Sequence, residues 1–417
     1  MPQENLSLLF VTPFFTPQTG GVATYLEDLR RFLRARGNQV FILKLGDART
    51  LQPCPVVNDP TVYELYLRAA FVRAAPLRSL VAFVCFFIPT LLQLARFVRA
   101  NNIQLVSLEY PLGYALYFLA LRLLTGIKVT VGLHGDDVLS MDHLPAEERA
   151  IVARSITRAD WIVAHSESLL QRAQERLFLA STRHSVLPCG IDGERLRAQA
   201  GRLDRVPGAP FVLTVAKLYP RKGIDVWLQA VHAARQTFGP VRVLIIGDGP
   251  ERETLEAQAR DLGITDIVHF VGDVANDKVA GYFRDCLFFV LPSRSEPFGI
   301  VLLEAMCFGK AVLGTRVGGI PEFVVDGQNG VLVPSEDAQA LATQVSRLLR
   351  DHEYLLRLGK SGRASVDMTY DYRVLAQRYE ALYRSIIEGA SMPSDHVAAM
   401  SGSGRSAAHI SRAKVEV

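Results

Sequence analysis

A strand–helix–strand pattern that occurs twice along the chain constrains the fold more than any other feature of the sequence. The first copy has an apolar run at residues 6–11, a loop with proline and glycine, an amphipathic segment at 23–36 and a second apolar run at 39–43. The second copy repeats this order with a strand, a helix and a strand at 211–216, 225–237 and 241–246. Apolar runs that alternate with amphipathic helices predict parallel sheets covered by helices.

The glycines of the two copies keep the same spacing. Gly21 and Gly223 each open the predicted helix, and Gly37 and Gly239, the same interval further on, each follow it. Glycine is common in loops, so a chance match is the alternative. We interpret the repeat as an α/β protein of two Rossmann-like domains, with ligands bound in a deep cleft between the carboxyl edges of the two sheets.

The predicted domain boundary lies in residues 193–210, which mix charge, glycine and proline without an apolar period. The predicted domains are residues 1–200 and 206–370. A last amphipathic helix is expected at 371–388. Residues 389–417 are small, polar and aperiodic, so we expect a disordered tail there.

Charge and cysteine content narrow the classes of protein. The 46 basic and 42 acidic residues give a formal charge of +4, an excess too small to predict nucleic-acid binding. The five cysteines are scattered and form no C-x-x-C pair, which is typical of reduced thiols in the cytoplasm and argues against a disulfide framework or a zinc site. The N-terminus lacks a basic region followed by a cleavage site, so no signal peptide is predicted.

The segment SEPFGIVLLEAMCFGKAV, residues 295–312, carries the most specific chemistry. Glu296 lies just before a helix predicted at about 299–308, where free N–H groups bind negative charge, sugar hydroxyls or phosphate. Glu304 lies within that helix among Leu302, Leu303 and Ala305. A carboxylate with such neighbours needs a partner, and two vicinal hydroxyls, as on a ribose, would supply one. A solvated helix residue is the alternative.

Two cations and a histidine stand at the ends of predicted strands. Lys217 and Lys222 flank the loop after the strand at 211–216, next to a helix start, which favours binding of a diphosphate over two merely solvated lysines. His134 follows a strand at 128–133 and precedes a glycine, at the edge where ligands bind. Gly20 and Gly21 offer a second cradle of backbone N–H groups at the first helix.

A dinucleotide-binding motif is incomplete. The sequence IIGDGPER at 245–252 begins as G-x-G after a strand, but Arg252 occupies the third glycine position. A dehydrogenase is therefore not predicted.

These motifs give the chain a family resemblance. It resembles the retaining glycosyltransferases of family 4 (glycosyl transferases group 1), which have the GT-B fold of two Rossmann-like domains facing each other across a deep cleft. The resemblance covers roughly residues 6–388 and is strongest over 211–333, where VAKLYPRKGIDVWLQA, LIIGDGPER, VLPSRSEPFGIVLLEAM and GTRVGGIPEFVVDGQNGVLV follow the family's order. It implies an acceptor-binding N-terminal domain, a C-terminal domain that binds a UDP-, GDP- or ADP-sugar donor, and transfer with retention to a glycan, lipid-linked or small-molecule acceptor, without a metal or other cofactor.

The resemblance also implies residue roles. Lys217 and Lys222 would hold the donor diphosphate, Glu304 the ribose, and Glu296 with the backbone of Phe298, Gly299 and Ile300 the transferred sugar. Gly20 and Gly21 would approach the phosphate from the other domain. His134 would contact the sugar near the reacting carbon, so that His134 and Glu296 are the catalytic candidates.

The segment 65–108 has no acidic residue. It carries arginines among aromatic and aliphatic residues: Arg68, Arg73, Arg78, Arg96 and Arg99. This pattern favours contact with an anionic membrane surface, which would place a cytoplasmic protein peripherally on the inner face of the membrane. Ordinary domain helices with basic solvent faces are the alternative. The most apolar stretch, 80–94, is shorter than the roughly 20 residues of a spanning helix.

Two other functions compete with glycosyl transfer. A nucleotide-sugar epimerase or a phosphorylase on the same fold would consume its donor without a sugar acceptor. An inert sugar-nucleotide binder or membrane scaffold is the third class, although it would not require His134, Lys217, Lys222, Glu296 and Glu304 together.

Overall fold

The computed structural model describes residues 5–15, 21–54, 57, 59–67, 76–139, 141, 144, 146–177, 183–201 and 210–389. Within these ranges the chain forms two sheets with helices on both faces, which confirms the predicted α/β class and the GT-B fold. The predicted disordered tail beyond Gly389, and the arginines Arg68 and Arg73, lie outside the described residues.

The first sheet contains eight strands in the order β3-β4-β2-β1-β5-β6-β7-β8. Its strands are β1 Ser7–Thr12, β2 Gln39–Leu45, β3 Gln52–Pro53, β4 Val62–Leu65, β5 Leu105–Glu109, β6 Lys128–Leu133, β7 Trp161–Ala164 and β8 His184–Val186. All neighbours are parallel except β3, which runs antiparallel to β4 at one edge. β6 spans the predicted residues 128–133.

The second sheet contains six parallel strands in the order β11-β10-β9-β12-β13-β14. Its strands are β9 Phe211–Val215, β10 Arg242–Ile246, β11 Val268–Gly272, β12 Phe288–Leu291, β13 Ala311–Thr315 and β14 Val331–Val333. Their buried faces hold almost only apolar side chains, as expected of strands covered on both sides.

The helices follow the strands in alternation. They are α1 Gly21–Ala35, α2 Pro76–Ala100, α3 Ala115–Thr125, α4 Asp136–Leu139, α5 Ala146–Arg158, α6 Glu167–Leu177, α7 Gly193–Gln199, α8 Ile224–Ala233, α9 Arg235–Phe238, α10 Arg252–Asp261, α11 Asn276–Asp285, α12 Ile300–Cys307, α13 Ala338–Arg350, α14 His352–Ser365 and α15 Tyr372–Glu388. Gly37 and Gly239 follow α1 and α9 with φ of 93° and 51°, a conformation in which glycine avoids the strain of a side chain. None of the helices in the described ranges is long and apolar enough to cross a bilayer.

Within the predicted boundary region 193–210, residues 193–199 form α7, a helix that the sequence did not predict. The Asp192 side chain accepts a hydrogen bond from the backbone N–H of Arg195 at 3.0 Å, and this cap stabilises a helix too short to show an apolar period. α7 packs against α11 and α12. The domain limits 1–200 and 206–370 stay predictions.

The last helix returns to the first half of the chain. α15 packs on α1, with the Tyr383 ring 6.0 Å from Phe10 and the Tyr379 ring 6.2 Å from Tyr25. One hydrophobic cluster continues from these residues to Leu302 of α12. The half of the molecule built on the first sheet and the half built on the second sheet therefore share apolar contacts.

Candidate active site

The loop after β9 positions Lys222. A turn of 3-10 helix at Pro220–Lys222 ends at Gly223, whose φ is 65°. A Cβ on Gly223 would lie 2.1 Å from the carbonyl oxygen of Pro292, so only glycine fits this approach of two loops. The contact brings Lys222 Nζ to 2.5 Å from Glu296 Oε2, with both side chains largely buried. The structure thus joins two predicted site residues into one ion pair.

Lys217 has a different partner. Its Nζ is exposed and lies 2.9 Å from Oδ2 of Asp273. The two lysine ammonium groups are therefore bound to different carboxylates, and their joint binding of a diphosphate stays a prediction. A lysine side chain is long and flexible, so its position depends on which carboxylate lies nearby. For Lys217 that carboxylate belongs to a distant part of the chain, which the sequence does not reveal.

The loop at residues 296–300 presents unused backbone donors. Gly299 has a φ of 100° and ends the loop at the start of α12. Among the described residues, no group accepts a hydrogen bond from the amides of Phe298, Gly299 or Ile300. Gly318 lies against this loop, because a Cβ there would lie 1.7 Å from the Glu296 carbonyl oxygen. The amides at the α12 N-terminus are therefore available to an anion or to sugar hydroxyls.

The N-terminus of α1 faces the N-terminus of α12. A Cβ placed on Gly21, the first residue of α1, would lie 3.9 Å from Cγ2 of Ile300, the first residue of α12. Because each helix starts at the carboxyl edge of its own sheet, these two edges face each other. The positive ends of two helix dipoles converge here. Gly20 lies outside the described residues.

His134 lies at the same junction with its ring turned inward. The turn after β6 places Gly135, with a φ of 127°, where a Cβ would lie 2.1 Å from Cγ of Pro297 in the opposite half. The ring itself is 5% exposed, and its Nε2 lies 2.7 Å from Oε2 of Glu109. His134 thus borders the predicted sugar loop through its own backbone and is held by a carboxylate of the neighbouring strand β5.

Glu304 lies in the second turn of α12 and is partly buried. Burial, and then the charge of Asp28 on α1, raise the pKa of Glu304 to about 7. None of the described residues donates a hydrogen bond to its carboxylate. An acceptor of this kind at the interface between the halves is suited to a ligand that brings two hydroxyl donors.

The comparisons with known proteins agree with this geometry. The family model "Glycosyltransferase Family 4" matches residues 19–195, and the model "Glycosyl transferases group 1" matches residues 198–365. The chain belongs to glycosyltransferase family 4. This confirms the resemblance, and with it a nucleotide-sugar glycosyltransferase.

Among the relatives of this glycosyltransferase is the GDP-mannose-dependent alpha-(1-6)-phosphatidylinositol monomannoside mannosyltransferase of Mycobacterium tuberculosis, 27% identical over 89% of this chain and 96% of the relative. The D-inositol 3-phosphate glycosyltransferase 2 of Catenulispora acidiphila is 29% identical over 86% and 90%. The solved structure of sucrose-phosphate synthase from Thermosynechococcus elongatus has 22% identity and a TM-score of 0.71, covering 93% of this chain and all of that one, and shows the same fold.

Two carboxylates of the candidate site were missed by the sequence reasoning. Glu322 accepts hydrogen bonds at 2.9 and 3.0 Å from the backbone N–H groups of Glu167 and Ser168 at the start of α6, in the other half of the molecule. Nearby, the Ser166 hydroxyl donates to the Pro297 carbonyl at 2.7 Å. These contacts hold the two halves together beside the loop at 296–300. Pairs so distant in sequence leave no local signal.

Glu109 is the second missed carboxylate. It ends the apolar strand β5, and an acid at that point of a buried strand is a signal that sequence reading could have used. Within the described ranges, Glu109, His134 and His165 form the one group of ligand atoms close enough to hold a metal, all within 4.8 Å of one another. The 2.7 Å contact between Glu109 and His134 is shorter than the roughly 3.3 Å between two ligands of a tetrahedral zinc site, so we interpret it as a hydrogen bond.

Proposed function

We propose that this glycosyltransferase moves a hexosyl group from a nucleoside diphosphate sugar to a lipid-linked acceptor, with retention of configuration and without a metal ion. The observation that carries the donor half of the proposal is the approach of the α1 and α12 N-termini, with Gly21 facing Ile300. Two converging helix dipoles and free backbone amides form a site for a diphosphate. The M. tuberculosis relative, by its name, uses GDP-mannose and a phosphatidylinositol monomannoside.

The reaction requires charge stabilisation at the leaving group. The bond between C1 of the sugar and the β-phosphate oxygen breaks, and C1 bonds to the acceptor oxygen on the same face. The acceptor hydroxyl proton passes to the departing diphosphate. Negative charge grows on that diphosphate, so helix N-termini and a lysine already in place would lower the barrier without reorganisation.

The ion pair of Lys222 and Glu296 supplies a cation for the diphosphate and a carboxylate for the sugar. In our proposal, the Lys222 ammonium binds the diphosphate and the Glu296 carboxylate accepts hydrogen bonds from sugar hydroxyls. Ser293, whose hydroxyl lies 3.3 Å from Glu296 Oε2, keeps that carboxylate oriented. Glu304 would accept from the two ribose hydroxyls of the nucleotide.

An exposed face of α2 supports the lipid-linked acceptor. Ile88 and Leu92 are 56% and 48% exposed on this face, and Arg96 and Arg99 continue it toward the helix end. Leu123 of the adjacent helix α3 is 87% exposed. Apolar side chains beside arginines match an anionic lipid surface, into which the former insert while the latter bind headgroups.

A donor panel tests the reaction. The purified protein is incubated with UDP-, GDP- and ADP-sugars, with and without a bacterial lipid extract, and the released nucleoside diphosphate and the anomeric configuration of the product are measured. Nucleotide release that depends on lipid, with a retained product and no effect of EDTA, would support the proposal. Donor consumption without any acceptor would instead indicate an epimerase or a hydrolytic side activity.

Vesicle binding tests the membrane surface separately. The double variant Leu92→Glu/Leu123→Glu should lose co-sedimentation with vesicles that contain anionic phospholipid. Leu356→Glu, which changes an equally exposed leucine of α14, is the matched control and should bind like the wild type. Binding that both glutamate variants retain would contradict a role for the α2 face.

A further inference from the structure

Glu109 is a buried carboxylate to which the proposed function assigns no role. It ends β5 and is 1% exposed. Burying a carboxylate is costly unless its oxygens are bound. Here Oε1 lies 2.6 Å from the Ser107 hydroxyl and Oε2 lies 2.7 Å from His134 Nε2. Each oxygen of the buried carboxylate therefore has a hydrogen-bonding partner.

The neighbouring strand leaves space for Glu109. Gly132 of β6 is its register partner, and a Cβ on Gly132 would lie 2.1 Å from Oε2. A side chain at that point of β6 would displace the carboxylate from His134. A glycine inside a buried strand weakens the strand, so its presence marks a close approach.

The hydrogen bonds around Glu109 fix the positions of the protons. The Thr130 hydroxyl donates to Ser107 Oγ at 2.9 Å, so the Ser107 hydrogen is directed to Glu109. Burial opposes ionisation of Glu109, but the hydrogen bond from His134 lowers its pKa below the usual value. An ionised Glu109 accepts from both neighbours, so the hydrogen in its bond with His134 belongs to Nε2.

The other groups that face the ring do not compete for this role. His165 lies 4.6 Å away between ring centroids, and its Nδ1 must donate to the Leu187 carbonyl at 2.9 Å. Burial lowers the pKa of His165 to about 3, so it stays neutral. Tyr25 packs edge-on at 5.2 Å, and burial raises its pKa. Asp137 binds the backbone N–H of His134, not the ring.

We propose that Glu109 is a positioning residue that holds His134 with its hydrogen on Nε2 and so commits Nδ1 to the sugar donor. No described residue bonds to Nδ1. The proposal rests on the proposed function and on the role that the family resemblance implies for His134, which is contact with the sugar near the reacting carbon. A carboxylate that fixes the tautomer of a catalytic imidazole acts through orientation, as in other histidine sites.

The test is Glu109→Gln, which keeps the size of the side chain but offers an N–H₂ group to Nε2. The hydrogen of His134 should then move to Nδ1. We expect kcat to fall about 10- to 100-fold with the donor KM unchanged, the scale seen when an outer carboxylate is removed from a histidine ligand. In spectra of ¹⁵N-histidine-labelled protein, the His134 signals should change from the Nε2–H to the Nδ1–H pattern.

Two variants keep the result interpretable. Glu380→Gln removes another buried carboxylate, on α15, and should leave kcat and the His134 signals unchanged. In the double variant Glu109→Gln/His134→Ala, the loss should equal that of His134→Ala alone, because the carboxamide then has no imidazole to misdirect. Should Glu109→Gln fail to fold, the wild-type spectrum still tests the proposal, because His134 signals of the Nδ1–H pattern would contradict it.

Three outcomes would overturn the proposal. One is an unchanged His134 tautomer in folded Glu109→Gln, and another is a fully additive loss in the double variant. The third is one equivalent of zinc in the purified protein that EDTA removes together with the activity, since Glu109 would then be a ligand. A wild-type protein that transfers no sugar from any donor refutes the proposed function instead, and the tautomer measurement still tests Glu109.

Discussion

Replacing Glu304 by glutamine should stabilise the free protein at alkaline pH and at the same time weaken donor binding. Burial and Asp28 raise the pKa of Glu304 from 4.5 to about 7. At about 1.4 kcal/mol per pKa unit, ionisation of this carboxylate costs the folded state up to about 3.5 kcal/mol. Glutamine has nearly the same shape and no charge, so it removes this cost.

The pH dependence has a definite sign. Because the pKa of Glu304 is higher in the folded than in the unfolded chain, the folded state holds a proton between pH 4.5 and about pH 7 that the unfolded chain has lost. The contribution of Glu304 to stability therefore falls as pH rises through this window. The advantage of Glu304→Gln should be absent near pH 4.5 and complete at about pH 8.

Urea denaturation at the two ends of this window measures the effect. The control is Glu253→Gln, which changes an exposed carboxylate of α10 and should be neutral at both pH values. Calorimetry with UDP and GDP measures the second predicted effect, the weaker binding of the nucleotide. Ribose hydroxyls favour the ionised carboxylate, so wild-type protein should release a proton on binding near pH 7, and Glu304→Gln should bind more weakly without release. Equal stability of wild type and variant at high pH, or tighter nucleotide binding by the variant, would refute the reasoning.

Three further changes address the junction between the two halves. Lys222→Ala should lower turnover by about two to three orders of magnitude, as loss of an oxyanion donor does, and near-wild-type single-turnover rates would contradict this. Gly135→Ala, which forces a Cβ against Pro297 at a φ of 127°, should lose about 1–3 kcal/mol in thermal unfolding, more than Gly239→Ala, where a Cβ meets open space. Glu322→Ala removes the carboxylate that binds the α6 N-terminus and should weaken the contact between the two halves by about 1 kcal/mol. Small-angle scattering should then show a larger radius of gyration. An unchanged radius would contradict the idea that Glu322 holds the two halves together.

The sequence predicted the strands and helices correctly where the apolar pattern of a segment matches its burial in the fold. The strand predicted at 128–133 is β6, and the helix predicted at 299–308 is α12 at Ile300–Cys307. Both have an apolar pattern bounded by residues that stop an element. α7 was missed because it is short and begins at a capping aspartate instead of an apolar stripe. The exposed face of α2 was indicated by composition, but only the packing of α3 beside it shows which side chains reach solvent.

The sequence likewise predicted one part of the candidate site and left another part open. That His134 stands at a sheet edge follows from the strand before it and the glycine after it. That its ring points to Glu109 does not, since the two belong to different strands whose register the sequence leaves open. The partners of Lys217 and Lys222 were likewise open, because each lysine reaches a carboxylate more than fifty residues away.

The sequence by itself determined the alternation of strands and helices, the repeat of that alternation in two halves and the residue types at the ends of the strands. Those features depend on hydrophobic period and backbone freedom, which act between near neighbours. The tertiary structure decided which charges are paired, that the Glu304 carboxylate accepts no hydrogen bond from the described residues, and which two helix ends meet. Such contacts arise when distant segments share one buried volume, and the energy of a buried charge depends on every group in that volume.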